Sequence, residues 1–281
     1  MIIGKDSSST LSTLSSNLRK KTLMRANLEG GNHKRYSPWM CLFSIDEIPP
    51  RILLDYYSSD KGIVITSRDY LEASSEFLKS KPELLLNDLI GRSRDWEMLC
   101  EINEIRPEMA IELRSICFEI QRTSIFFRKV FGSLICSIVP LKDQRARGLS
   151  SDLIRGEIFI GYPQGYSRTL LAMDIVHEMG HQALSLVLSC DDIFISDPRI
   201  PVFSEIRHTD RPAIQSLHAA AAIAYMTLYV KQIGAPSQRH PDCPDDLSET
   251  LHRAVNALTK TCKFTPVGDQ VLRDFDEIAA M

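Results

Sequence analysis

Residues 167–188 constrain this chain more than any other segment. Leu170, Leu171, Ile175, Met179, Leu184 and Leu188 recur at helical spacing, Ser167 suits the N-cap, and the run meets the acidic pair Asp191 and Asp192. Just upstream, 156–162 alternates as a strand, and Gly161, Pro163 and Gly165 break the chain. A strand, a glycine-rich break and a long helix therefore follow one another. The helix contains His177-Glu178-Met179-Gly180-His181. At about 100° per residue, four positions return a side chain to within about 40° of its start, one turn further on. Both imidazoles can thus reach one metal ion. Glu178 lies near enough to contact a metal-bound water, the arrangement in which two histidines hold zinc and the glutamate is the catalytic general base. The bland alternative is a polar stripe on a solvated helix face. Gly180 argues against it, because glycine inside a helix costs about 1 kcal/mol relative to alanine. That cost predicts close approach by another backbone or a ligand.

Two histidines need a third ligand. The extended metzincin pattern is excluded, because it requires Gly and His where this chain has Leu184 and Val187. Asp191, Asp192, Asp197, Glu205, His208, Asp210 and His218 are the downstream candidates. His218 is favoured: it opens a helix expected over 213–233 and closed by Gly234. Its next turn, Ala219 to Ala222, is small enough to lie against the helix bearing Gly180. Tyr225 and Tyr229 share that face and are expected near the pocket. Glu205 is the runner-up and would complete a two-His, one-Glu zinc site. His33, His208, His240 and His252 read as ordinary surface histidines.

The rest of the chain is less specific. Helical spacing covers 67–81, 82–91 and 107–131, a strand covers 133–139 up to Pro140, charged residues at 142–147 read as a loop, and two helices fill 246–281. The fold class expected is α+β and predominantly helical: a zincin-like core, a small β-sheet next to the motif helix, and an N-terminal helical region. The divisions expected are a flexible segment 1–35, a helical region 36–131 suited to peptide recognition, and a metal-binding catalytic region 132–281. The serines and basic residues before 35 allow an organelle transit peptide, although a frayed terminus is the plainer reading. With 33 Lys plus Arg against 36 Asp plus Glu, and 44% hydrophobic residues, the chain has neither the basic excess of a DNA-binding domain nor the apolar poverty of a disordered one. The apolar run 219–230 is shorter than the roughly 20 residues of a membrane span. Seven scattered cysteines without a Cys-x-x-Cys pair read mostly as reduced, buried thiols in a cytoplasmic setting.

The motif, with Ser204, Arg207, Arg211-Pro212 and Leu217-His218, resembles the HExxH proteins that act on ribosomally made peptide natural products. Some of these are 2-oxoglutarate-dependent peptide β-hydroxylases. The likeness runs over about 156–230; Glu205-Ile206 stands where the family has Pro-Trp, and Ala219 where it has Gly. The resemblance implies Fe(II) on His177, His181 and His218, with 2-oxoglutarate and O2 at the remaining positions. It also implies Arg207 and Arg211 as cations for the distal carboxylate of the cosubstrate. The partner implied is a precursor peptide, and the strand at 157–162 is expected to offer it an edge. The competing readings are a zinc metallopeptidase with Glu178 as base and a non-catalytic, metal-stabilised peptide-binding scaffold.

Overall fold

The computed structural model describes residues 64–65, 107–135, 137–141, 147–151, 154–161, 166–188, 191–235, 240 and 246–281. The expected helices at 67–81 and 82–91, the N-terminal segment and His33 lie outside the described residues. Those described are mostly helical, with small sheets, so the chain is α+β and predominantly helical. The described residues divide into two compact units: one has those within 119–131 and 168–281, the other 64–65, 107–118 and those within 132–167.

Helix propensity runs through 107–131, but the helix breaks. Helix α1 spans Pro107–Thr123 and α2 spans Ile125–Leu134. Ser124 sits between them, and its Oγ accepts a hydrogen bond from Phe127 N at 3.2 Å. A serine competing for backbone donors restarts the helix as an N-cap, which apolar periodicity does not register.

The second unit holds a mixed sheet in the order β1-β2-β4-β3, from β1 (Val64–Ile65), β2 (Ser137–Leu141), β3 (Gly148–Ser151) and β4 (Ile154–Gly161). Strand β2 begins later than expected and continues through Pro140. Among the described residues β1 pairs only with Ser137 and Ile138, so proline falls where one side of β2 has no strand partner. Strand β4 is not an edge. It pairs in parallel with β2 through Glu157 to Gly161 and antiparallel with β3 at Ile154, Phe159 and Ile160. The edge expected at 157–162 for an incoming peptide is therefore covered on both sides, by β2 and by the unforeseen β3.

The other unit is built on two helices buried nearly all round. Helix α3, Arg168–Leu188, buries 171–176, 178–180 and 182–187. Helix α4, Ala213–Gln232, buries all of 220–230. By length and composition α4 could cross a membrane, yet 78% of its apolar window is covered within the protein, as in a core helix. It ends where the sequence places its stop: Gly234 takes the left-handed conformation at φ 61°, and Ala235 N donates back to Val230 O.

Between these helices, 201–212 folds as a hairpin of β5 (Pro201–Ser204) and β6 (Thr209–Pro212). Prolines at its outer ends disguise it as a loop. They occupy the paired terminal positions Pro201 and Pro212, where a missing donor is tolerated. Helices α5 (Leu247–Thr261) and α6 (Pro266–Ala280) complete the unit. Asp246 accepts from Ser248 N and Glu249 N, and Thr265 accepts from Gly268 N, so each helix starts at a side-chain cap.

Candidate metal centre

From Asp174 onward the polar residues of α3 form one stripe: Asp174, His177, Glu178, His181, Gln182 and Ser185, linked by steps of three and four. Asp174, Glu178, Gln182 and Ser185 are buried, and both histidines are half-buried. A solvated helix face is thereby excluded. Withdrawing so many polar groups from water is costly unless they find partners or a ligand.

The two imidazoles converge. His177 Nε2 and His181 Nε2 lie 3.0 Å apart, with ring centroids separated by 4.7 Å. Ions held by histidine sit about 2.1 Å from each nitrogen, so one ion can bridge this pair with little movement. The Glu178 carboxylate joins them: its Oε1 is 3.9 Å from His177 Nε2, and ligand atoms from all three residues fall within 4.8 Å of one another. Two imidazole nitrogens beside a buried carboxylate form a donor set suited to zinc or ferrous iron.

Gly180 explains how a second helix reaches this place. A Cβ there would lie 2.7 Å from Ala221 O and 2.9 Å from Ala222 Cα. The α4 backbone thus occupies the space a side chain would fill, the close approach that the glycine and the alanine run foretell. His218 lies one turn before that crossing, and its ring is 5.6 Å from that of His181. It stands beside the pair but outside the set whose ligand atoms lie within 4.8 Å, among the described residues.

The other candidates separate. Glu205 faces α5, where its carboxylate accepts from Arg253 Nε at 2.9 Å. Arg207 is exposed at the hairpin turn, its backbone N donating to Ser204 O, while Arg211 is half-buried on β6 opposite Val202. Asp191 and Asp192 are exposed. Asp197 accepts two hydrogen bonds from the Arg199 side chain, and with that hydrogen bonding its carboxyl is held below the usual carboxylate range. His208 is exposed in a left-handed turn conformation at φ 50°, and His252 is exposed beside Asp276.

Two expectations need correction. Tyr225 and Tyr229 join an aromatic core cluster: Tyr225 packs on Phe126 and Phe127 at 5.7 and 6.4 Å, and Tyr229 on Phe127 at 5.7 Å. Burial raises both phenols above their ordinary pKa. His240 is not a surface residue. It is buried against α3, its Nε2 2.8 Å from Asp174 Oδ1 and its ring 6.2 Å from that of His177. No pattern marked His240, because its partner lies 66 residues earlier. Asp174 carried one overlooked signal, a carboxylate three positions before the motif that follows the apolar run Leu170 to Met173.

No family model matches this chain, and no similar curated protein is found.

Proposed function

We propose that this chain is a metal-dependent peptide-modifying enzyme, an Fe(II)/2-oxoglutarate-dependent dioxygenase that β-hydroxylates a residue of a ribosomally made precursor peptide. One observation carries the metal dependence: the 3.0 Å approach of His177 and His181 Nε2 within a buried polar stripe. In this reading His177, His181 and His218 hold the ion. Bound iron would supply the redox chemistry that lets O2 oxidise 2-oxoglutarate to succinate and CO2 while one oxygen atom enters the peptide. Arg211, and Arg207 from the hairpin turn, would bind the distal carboxylate of 2-oxoglutarate as a planar fork. Glu178 would orient a proton-bearing group beside the ion, and the buried walls of α3 and α4 would keep bulk water out. The chain's likeness to the HExxH peptide hydroxylases at Arg211-Pro212 and Leu217-His218 supports this reading over others on the same helix. The cytoplasmic setting belongs to it as well, and the buried thiols of Cys117 and Cys262 accord with a reducing environment.

Zinc peptidase chemistry is the second reading, and the position of Glu178 favours it. A carboxylate 3.9 Å from the first ligand nitrogen is where a base that deprotonates water belongs. Anaerobic reconstitution with Fe(II), then addition of 2-oxoglutarate, O2 and candidate precursor peptides, separates the two. Succinate together with a peptide 16 mass units heavier (~16, one oxygen) supports the hydroxylase. Peptide cleavage by the zinc form, abolished in Glu178→Gln and without 2-oxoglutarate binding, supports the peptidase. Neither turnover leaves a peptide-binding scaffold.

A further inference from the structure

Asp174 and His240 form a buried pair that neither reading uses. Their side chains are 3% and 0% exposed, and the Oδ1 to Nε2 distance is 2.8 Å. Asp174 lies three residues before His177 on α3, on the same helix face. The His240 ring lies 6.2 Å from that of His177 and within 22° of parallel to it. The second carboxylate oxygen, Asp174 Oδ2, is buried with no hydrogen-bond partner among the described residues. A carboxylate oxygen removed from water without a donor is expensive, and such atoms concentrate where a site is incomplete.

We propose that Asp174 and His240 are positioning residues for the metal ligand His177. The inference rests on the metal-centre reading above, but not on which reaction follows. A histidine that binds an ion through Nε2 carries its remaining proton on Nδ1, and a carboxylate accepting that proton fixes both tautomer and ring orientation. Asp174 offers Oδ2 from the same face one turn away. His240 holds the other oxygen at 2.8 Å, which restrains the carboxylate, and its ring lies nearly parallel to the His177 imidazole. The pair thereby ties residue 240 to the motif helix beside the first ligand.

The test uses the full chain. Zinc and Co(II) affinities are measured against a chromophoric chelator, the Co(II) absorption bands are recorded, and each variant's unfolding midpoint is determined. Asp174→Asn keeps the volume and an acceptor for His240 but places an amide donor where Oδ2 was. We expect about a 10- to 100-fold loss of affinity and shifted Co(II) bands, with a smaller change of the same kind in His240→Gln. A lowered unfolding midpoint with unchanged affinity and bands in the folded protein assigns the pair a structural role alone and overturns the proposal. In the zinc-loaded wild type, the His177 Nδ1 proton should resonate far downfield, as a proton shared with a carboxylate does. A solvent-like position overturns the proposal even if both variants fail to fold. Wild-type protein that binds no metal overturns this inference together with the metal-centre reading; wild-type binding that the variants leave intact overturns this inference alone.

Discussion

The α3–α4 crossing and the β5–β6 hairpin each carry candidate site residues, and they hold them differently. At the crossing, Gly180 meets the Ala221 and Ala222 backbone, and His177, Glu178 and His181 project from a helix buried on nearly every side. At the hairpin, Arg207 and His208 lie exposed in a four-residue turn between Ser204 and Thr209, and Glu205 is drawn toward Arg253 on α5. Metal ligands need fixed separations, so they belong on packed helices. A cation that greets a dicarboxylate can stand on a turn and order itself when the ligand arrives. Under the proposed function, substitutions at the crossing should therefore damage metal binding and stability together, whereas those at the hairpin should touch cosubstrate affinity with little effect on the fold.

The largest effect expected is loss of stoichiometric metal binding in His177→Ala or His181→Ala, read by equilibrium dialysis and elemental analysis. His218→Ala sharpens the assignment: it should also abolish binding, and unchanged affinity and turnover would remove His218 from the ligand set. Next comes Gly180→Ala. Alanine gains about 1 kcal/mol of helix propensity over glycine, but its Cβ would press on Ala221 O at 2.7 Å. Overpacking of this kind costs about 1–3 kcal/mol, so urea unfolding should show net destabilisation; a more stable variant would mean that α4 yields at the crossing. The smallest effect is expected at the hairpin. Arg253→Ala removes a partly exposed ion pair with Glu205 and should cost about 0.2–1 kcal/mol. Arg211→Ala should leave the unfolding midpoint near wild type while weakening 2-oxoglutarate binding.

A chemical probe extends the contrast to the cysteines. Burial pushes the Cys117 thiol up to about 12 and raises that of Cys262 as well. A raised thiol pKa keeps sulfur protonated and unreactive through the neutral range. Iodoacetamide at pH 8 should label neither in the native protein and both in denaturant, as peptide mass mapping would show; native labelling of Cys117 would reveal opening of α1.

The helical framework of the unit built on α3 and α4 was legible because period, caps and stops are local. The start of α3 after Ser167, the end of α4 before Gly234 and the start of α5 at Asp246 lie within one turn of the residues that mark them, whereas the Thr265 cap that divides α5 from α6 is seen only in the structure. The β5–β6 hairpin was not legible, since its prolines resemble loop punctuation until the pairing of Pro201 with Pro212 places both at strand ends. Strand β4 alternates like a half-exposed edge, yet β3 covers it, and strand order is a property of the sheet rather than of the strand.

By itself the sequence determined that His177 and His181 share a helix face and that Gly180 demands a close neighbour, because both follow from the 3.6-residue turn and the missing Cβ. Only the tertiary structure decided which neighbour arrives and what else gathers there. The α4 alanines bring His218 beside His181, aromatic packing withdraws Tyr225 and Tyr229 into the core, and His240 closes on Asp174 across 66 residues of chain. Contacts within one helix are set by the spacing of residues. Contacts between segments so far apart are set by how buried surfaces fit, and no local pattern carries that information.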